Sequence, residues 1–548
     1  MKKTKWIIGF AALALVLTSC GQGETTNTST EKEETVKVNQ SITISSPAPI
    51  STLDTTQTTD KNTFTTVQHL FEGLMRFDKE SQPIPGTAES VTVSEDGLVY
   101  DFKIRDDAKW SNGDALTAKD FDYSWKRLVN PETQGPNAYL LDSVTNSQAI
   151  REGQKDIEEI GLEVTEDNHF IVTLDHAQPS FLSVVSIGWL APQLESFVKE
   201  NGKEFATNSE TLVYNGPFVL ADWDGTSDNW TLKKNDAYYD AQEVELEEVA
   251  VQTLKEEVTG INLYESKELD LVRISGQYVA QYKEDPGYVT FNDVANSFID
   301  FNQEKGSPLA NVDLRRAIAL SIDKESLADN VLNDGAKALN GLVPRNLYKN
   351  PETGEDFRAY SGEYNVFDVK KAKEHFKKAQ EALGESITLS LLASDTEQGK
   401  KVAEYIQSQL EENLEGLNIS VNQQPSNNVN QARRDKNYEL SLSGWIAGSS
   451  ELDSYFNLYA SQSAYNYGNF NNKEYDTLVL DAKTKEANKP AEVFNKYQEA
   501  ERILLEEQVA QVPVYQGASN YLVNEQIEGV EYPLYGGYFN LRNAELKQ

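Results

Sequence analysis

Side chains that do chemistry at characteristic spacings are scarce in this chain of 548 residues. Its four histidines, His69, His169, His176 and His375, are scattered, with no H-x-x-x-H pair and no cysteine beside them, so a zinc site is not supported. Four histidines and two methionines also speak against metal or haem ligation. No G-x-x-x-x-G-K-[ST] loop is present to cradle phosphates, and no G-x-S-x-G turn presents a serine nucleophile. With 87 Asp and Glu, carboxylate pairs can be found anywhere, so none stands out as a general acid and base. These residues point away from an enzyme, and they imply no cofactor. The single thiol, Cys20, cannot close a disulfide within its own chain.

The flanks of Cys20 give it a different chemistry. Lys2, Lys3 and Lys5 precede an apolar run from Trp6 to Leu17, too short for an ordinary membrane span, and small and polar residues lead into the cysteine. Residues 1–19 are therefore predicted to be a secretory signal. The sequence "LTSC" resembles the lipobox of bacterial lipoproteins, which implies a diacylated thiol and cleavage that leaves Cys20 as the first mature residue. Each buried CH₂ of an acyl chain contributes about 0.8 kcal/mol, so several chains make a lasting anchor where one is marginal. Residues 20–37, polar and then acidic, are predicted to be a flexible tether. The lipid is the expected contact with the membrane, on the outer face of a Gram-positive cell.

Composition describes what the tether carries. Hydrophobic content of 39%, with 26 Tyr and 7 Trp, belongs to a folded protein, and the length suits two or three domains. A formal charge of −37 repels phosphate backbones, so nucleic acid is excluded as a partner.

Strand and helix patterns alternate along the chain. "QSITISS", "VYDFKIR", "HFIVTL", "WTLKK", "VAVQTL", "LDLVRIS", "ITLSLLAS", "LNISVNQQ", "YELSLSGW" and "QVPVYQ" are predicted strands. "TFTTVQHLFEGLMRF" is predicted as a helix stopped near Gly73, and Thr117 as the N-cap of "AKDFDYSWKRLV". Two helices are expected in "NVDLRRAIALSIDKESLADNVL", joined at "IDK" and capped by Asp323 or Ser326. Long amphipathic helices are expected in "DVKKAKEHFKKAQEAL", "QGKKVAEYIQSQLEENL" and "PAEVFNKYQEAERILLEEQ". Alternation of this kind argues for an α/β fold with mixed sheets.

Several of these stretches together resemble the OppA-type peptide-binding lipoproteins of ABC importers, solute-binding protein family 5. They are "LFEGL", "PGTAESVTVSEDGLVYDFKIRDDAKWSNGDALTAKDFDYSWKRL", "YNGPFVL", "NDAYYD", "VDLRRAIALSIDK" and "VPVY", in family order. The resemblance implies a two-lobed, periplasmic-binding-protein-like α/β fold of the large peptide-binding class. Lobe one is expected to comprise residues 38–70, 195–297 and 517–548, with an inserted subdomain at 71–194, and lobe two residues 298–516. The ligand lies in the cleft, closed by hinge motion. An oligopeptide and an ABC permease are the implied partners.

The family grips the main chain of its ligand with two segments. By resemblance these are Thr59, Asp60 and Lys61, and the strand Ser443, Gly444, Trp445, Ile446, Ala447 and Gly448, with Asn137, Asn302 and Tyr515 as further positions. The family's G-W-x-A motif usually continues with an aspartate for the ligand's α-ammonium, and here Gly448 stands in its place. Glu451, Asp453 or a wetter pocket is expected to replace it, the further alternative being a ligand not held by a fixed amino terminus at all. Leu442 and Gly399 also stand where some members carry an arginine and a histidine. Lost charges should favour hydrophobic peptides, as in receptors for sex pheromones that serve conjugation. A general nutritional oligopeptide binder is the alternative, and a haem, metal or sugar binder on the same scaffold is the alternative of another class.

Overall fold

A computed structural model describes residues 39–547, which form one compact unit. Cys20, the signal and the tether lie outside the described residues. One mixed sheet runs through the molecule. Its strands lie in the order Leu417–Gln424, Ile387–Ser394, Leu440–Ile446, Tyr288–Phe301, Gln511–Val523, Leu271–Ile274, Ser41–Ser46, Glu248–Thr253, Asn229–Lys234 and Phe218–Ala221, and the two-residue strand Lys337–Ala338 pairs with Gln511–Val523. The first strand alternates as its sequence demands, with Ile42 and Ile44 buried and polar neighbours half-buried.

Two lobes share this sheet through its two longest strands. One apolar cluster gathers Ile42, Val249, Phe102, Trp125 and Leu541, and a separate four-stranded antiparallel sheet and its helix Ala118–Val129 are continuous with it. Two others gather residues such as Ile299, Ile318, Ile406 and Val514, or Phe357, Phe456, Phe494 and Ala510. The strands Tyr288–Phe301 and Gln511–Val523 cross between them, and their register breaks between Asn292 and Asn296. Gln516 braces the break: its Nε2 donates to the carbonyls of Asp293 (2.9 Å) and Arg345 (3.0 Å), and its Oε1 accepts from the Arg345 amide (3.0 Å).

Local signals place most helices. Thr117 and Asp120 form a capping box, and Asp323 caps the helix that begins at Lys324. The helix predicted in "TFTTVQHLFEGLMRF" differs. It runs Lys61–Leu70, capped by Asp60, and is replaced by a strand at Met75–Phe77. Glu72 explains the early end. Asn215 pairs with its backbone through Oδ1 and Nδ2, while its buried carboxylate accepts from Tyr238 Oη at 2.6 Å. Those contacts hold the chain extended where helical spacing alone would carry the helix on.

Candidate functional site

The site is best built from the strand Leu440–Ile446. On one side it pairs along its whole length with the long strand, Leu440 with Phe301 through Ile446 with Ala295. On the other side its ladder with Ile387–Ser394 contains only Leu440 and Ser441. From Leu442 to Ile446 no strand among the described residues pairs with that second edge, which is open. An open edge offers unpaired N–H and C=O groups, which either bind water or take another strand.

The side chains follow the pleat. Ser443 and Trp445 are half-buried, and Gly444 and Ile446 face outward, Ile446 with 65% of its surface exposed. A side chain on Gly444 would meet the Asn296 carbonyl oxygen at 2.9 Å, so the close approach of the two strands requires glycine there. Trp445 stands edge-on to Tyr465, ring centres 5.2 Å apart, and its buried Nε1–H has no protein acceptor among the described residues. Ala447 donates to the Val294 carbonyl at 3.1 Å and turns the chain away from the sheet. Ser297 pairs with Gly444 on one side and Tyr515 on the other, so these three lie in one row. Two strand spacings make that row about 9.5 Å wide.

The segment at residues 137–139 joins this strand to the other predicted segment. Asn137 is buried, and its Nδ2 donates to the Thr58 carbonyl at 2.7 Å, fixing the turn that presents Thr59, Asp60 and Lys61. Two residues on, Tyr139 is 51% exposed, and its hydroxyl is the nearest atom, at 4.0 Å, to where a Cβ on Gly448 would sit. Asp60 is occupied as a helix cap, accepting from the Thr63 amide at 2.8 Å and the Ser51 hydroxyl at 2.5 Å. Thr59 is exposed. The Lys61 ammonium lies 4.8 Å from the centre of the Tyr538 ring, which Arg273 also approaches to 4.8 Å. Burial lowers the Lys61 pKa, the Asp293 carboxylate partly opposes that, and Arg273 adds to it.

Arg127 holds the turn from beneath. It makes a bidentate pair with Asp54, both contacts 2.7 Å, and also donates to Thr56 and Gln193 at 3.0 Å. Burial pushes the Asp54 carboxyl up, but the hydrogen bonds and charge of Arg127 outweigh it, and the net pKa lies below the usual value. Such a carboxylate adds stability above the ordinary carboxylate range, lost as pH falls through its folded-state pKa. Arg127→Ala removes that partner and leaves the burial, so acid loss of ligand affinity should begin at a higher pH in the variant. Unchanged acid profiles, followed by calorimetry, would contradict this.

Asn302 and Glu451, two of the predicted positions, and Leu442 and Gly399, the two changed ones, each have partners or packing of their own. Asn302 stands beyond the far end of the long strand, about 20 Å from Asn296 at strand rise. Its amide is fully engaged: Nδ2 donates to the carbonyls of Lys436 (2.9 Å) and Tyr438 (3.0 Å), and Oδ1 accepts from Glu304 N (3.2 Å) and Asn469 Nδ2 (3.0 Å). Leu442 is buried in the apolar core of the second lobe, which accounts for its neutrality by packing. Gly399 sits in the first turn of the helix Glu397–Asn413, where a side chain would overlap the Ser394 hydroxyl oxygen. Glu451 accepts a hydrogen bond from Ser180, and burial raises its pKa. The pattern of the sequence did not reveal Tyr139 or Tyr465, since nothing in a lone tyrosine says where the fold will bring it.

Comparison with known proteins fits this geometry. The family model for bacterial extracellular solute-binding proteins, family 5 (middle region), matches residues 82–467, and a dipeptide-binding protein of Lactococcus lactis subsp. cremoris (strain MG1363) is 32% identical over the full length of both chains. The chain belongs to the OppA-type, family 5 extracellular solute-binding proteins. Solved relatives share the two-lobed fold of this solute-binding protein. Listeria monocytogenes OppA bound to peptide superposes with a TM-score of 0.75 at 35% identity, covering 93% of this chain and 100% of that one. The pheromone receptor PrgZ does so with a TM-score of 0.75 at 32% identity, with the same coverage.

Proposed function

We propose that this solute-binding protein is a lipid-anchored receptor on the outer face of a Gram-positive cell, which captures short peptides by their main chain and hands them to an ABC permease. The observation that carries the reading is the open edge of the strand from Leu442 to Ile446, beside the short 3-10 helix Ala138–Leu141 that carries Tyr139. A peptide laid there as an extra strand satisfies its own amides, each hydrogen bond contributing about 0.5–1.5 kcal/mol net. Side chains then need only be accommodated, which suits a ligand of variable sequence. The ligands named for the Lactococcus and Listeria relatives support the same class.

A bias toward hydrophobic peptides, including pheromone-like ones, follows from what surrounds the edge. Ile446, Tyr139 and Tyr465, with 65%, 51% and 48% of their surfaces exposed, offer apolar area to the ligand's side chains. Leu442 is part of the core and adds nothing to this argument. Mass spectrometry of whatever co-purifies with the receptor tests the reading. Short peptides rich in apolar residues are expected; a haem, a sugar or a bile acid bound in place of peptide would contradict it.

A further inference from the structure

The helix Lys61–Leu70 and the sheet beneath it enclose a narrow, partly open cavity in the first lobe, with room for about two water molecules. Helical spacing builds its roof, since Asn62, Thr65, Thr66 and His69 lie on one face of the helix. Strand pairing builds its floor. Trp230, Val251, Ile44 and Leu271 stand opposite one another across four adjacent strands, and residues so paired share a face. Arg273, two residues beyond Leu271, lies on the same face beside its pair partner Tyr521.

Three buried polar atoms on these walls have no partner among the described residues: Trp230 Nε1, Arg273 Nε and Asn62 Oδ1. Trp230 is only 4% exposed, so solvent outside the cavity does not satisfy its N–H. His69 is already engaged, its Nδ1 against the Thr65 carbonyl and its Nε2 accepting from the Leu541 amide. Charge gives the sign of the guest. Arg273 makes no ion pair and no hydrogen bond among the described residues, and its guanidinium and the Lys61 ammonium each stand 4.8 Å from the centre of the Tyr538 ring. The Asp293 carboxylate acts on Lys61 through space and is held by the Ser519 hydroxyl at 2.9 and 3.0 Å. Two cations and one carboxylate leave a positive charge over. A carboxylate matches what remains, because its two oxygens fill the room of two waters and accept from N–H donors without donating in return.

We propose that this cavity is a carboxylate-binding site, in which the oxygens accept from Arg273 and Trp230 Nε1, the Asn62 amide turns its NH₂ toward the group, and Lys61 adds positive potential from nearby. The carboxylate belongs either to a small acid or to the carboxyl end of a captured peptide, since Thr59, Asp60 and Lys61 lead directly into the helix that roofs the cavity. The site stands whether or not the peptide-receptor reading does.

The mature receptor, isotope-labelled at its indole nitrogens, is titrated with sodium acetate against sodium chloride at constant ionic strength. The Trp230 indole signal, identified by its loss in Trp230→Phe, is followed by NMR. A saturable downfield shift of that proton is expected with acetate, and Arg273→Gln should raise the half-saturating concentration by about tenfold or more. No saturable shift overturns the proposal and leaves the cavity to water; an equal shift with chloride overturns it as an adventitious ion only. A short hydrophobic peptide, offered as its acid and as its carboxyl-terminal amide, then names the source. A Trp230 shift with the acid and not the amide makes the peptide's carboxyl end the occupant. Acetate binding with no Trp230 shift from either peptide makes it a small acid, and equal shifts from both peptides overturn the carboxylate assignment. Peptides that fail to bind anywhere on the receptor overturn the peptide-receptor reading, while the acetate titration still decides this one.

Discussion

Glu501→Gln destabilises the second lobe by about 3–5 kcal/mol, the usual result of stripping one partner from a buried ion pair. Glu501 is fully buried on the helix Pro490–Arg502, and its carboxylate receives the Arg358 guanidinium at 2.5 and 2.9 Å. The same carboxylate accepts the Leu342 amide at 2.6 Å and the Ser361 hydroxyl. One side chain thus ties the loop at Leu342 and the helix Phe357–Ser361 to a third element. A glutamine keeps the shape and some hydrogen bonds, but it leaves a buried cation without its counter-charge, and desolvation is then uncompensated. The Arg358 guanidinium also lies directly against Gly341, where any side chain would overlap it. Urea unfolding of the variant should begin lower by roughly 1 M. An unchanged onset would mean that the pair contributes little beyond packing.

Backbone methylation of a bound peptide should weaken binding by about a hundredfold, since several amides that pair with the open edge are lost at once. Successive N–H groups of a strand point to opposite edges, so two complementary sets of N-methylated peptides can be made. At least one set removes the donors that face Leu442–Ile446 and adds methyl groups where the strands must approach. Alanine replacement of single ligand side chains should cost less than about tenfold, because the pockets accommodate rather than select. Titration calorimetry on matched peptides compares the two effects. If side-chain truncation outweighs backbone methylation, recognition is by pockets and the open edge is incidental.

How much of this was legible in the sequence depended on where the determining contacts lie. Thr117 with Asp120, Asp323 ahead of Lys324, and the alternation of Ile42 and Ile44 are local, and each could be read within a few residues. The strand Tyr288–Phe301, which carries the crossover and pairs with the site strand, showed no such signal. Asn292, Asp293, Asn296, Ser297 and Asp300 interrupt its apolar run, and their partners are far away in sequence. Asn296 donates to Leu342 O at 2.7 Å, and Ser519 donates to Asp293 at 2.9 Å. Buried polar groups with long-range partners look like loop residues until the fold supplies those partners. The site shows the same division. "SLSGWIAG" stood out by resemblance, whereas the Asn137 brace, the position of Tyr139 and the engagement of Glu451 by Ser180 depend on tertiary placement.

Amide hydrogen exchange along residues 440–448, with and without a saturating hydrophobic peptide, tests main-chain pairing most directly. Slowed exchange at the amides of the open edge, with Asn296–Asp300 of the long strand, which pair on both sides, little changed, is the predicted result. Peptide that binds tightly while those amides exchange at their unliganded rate would contradict it.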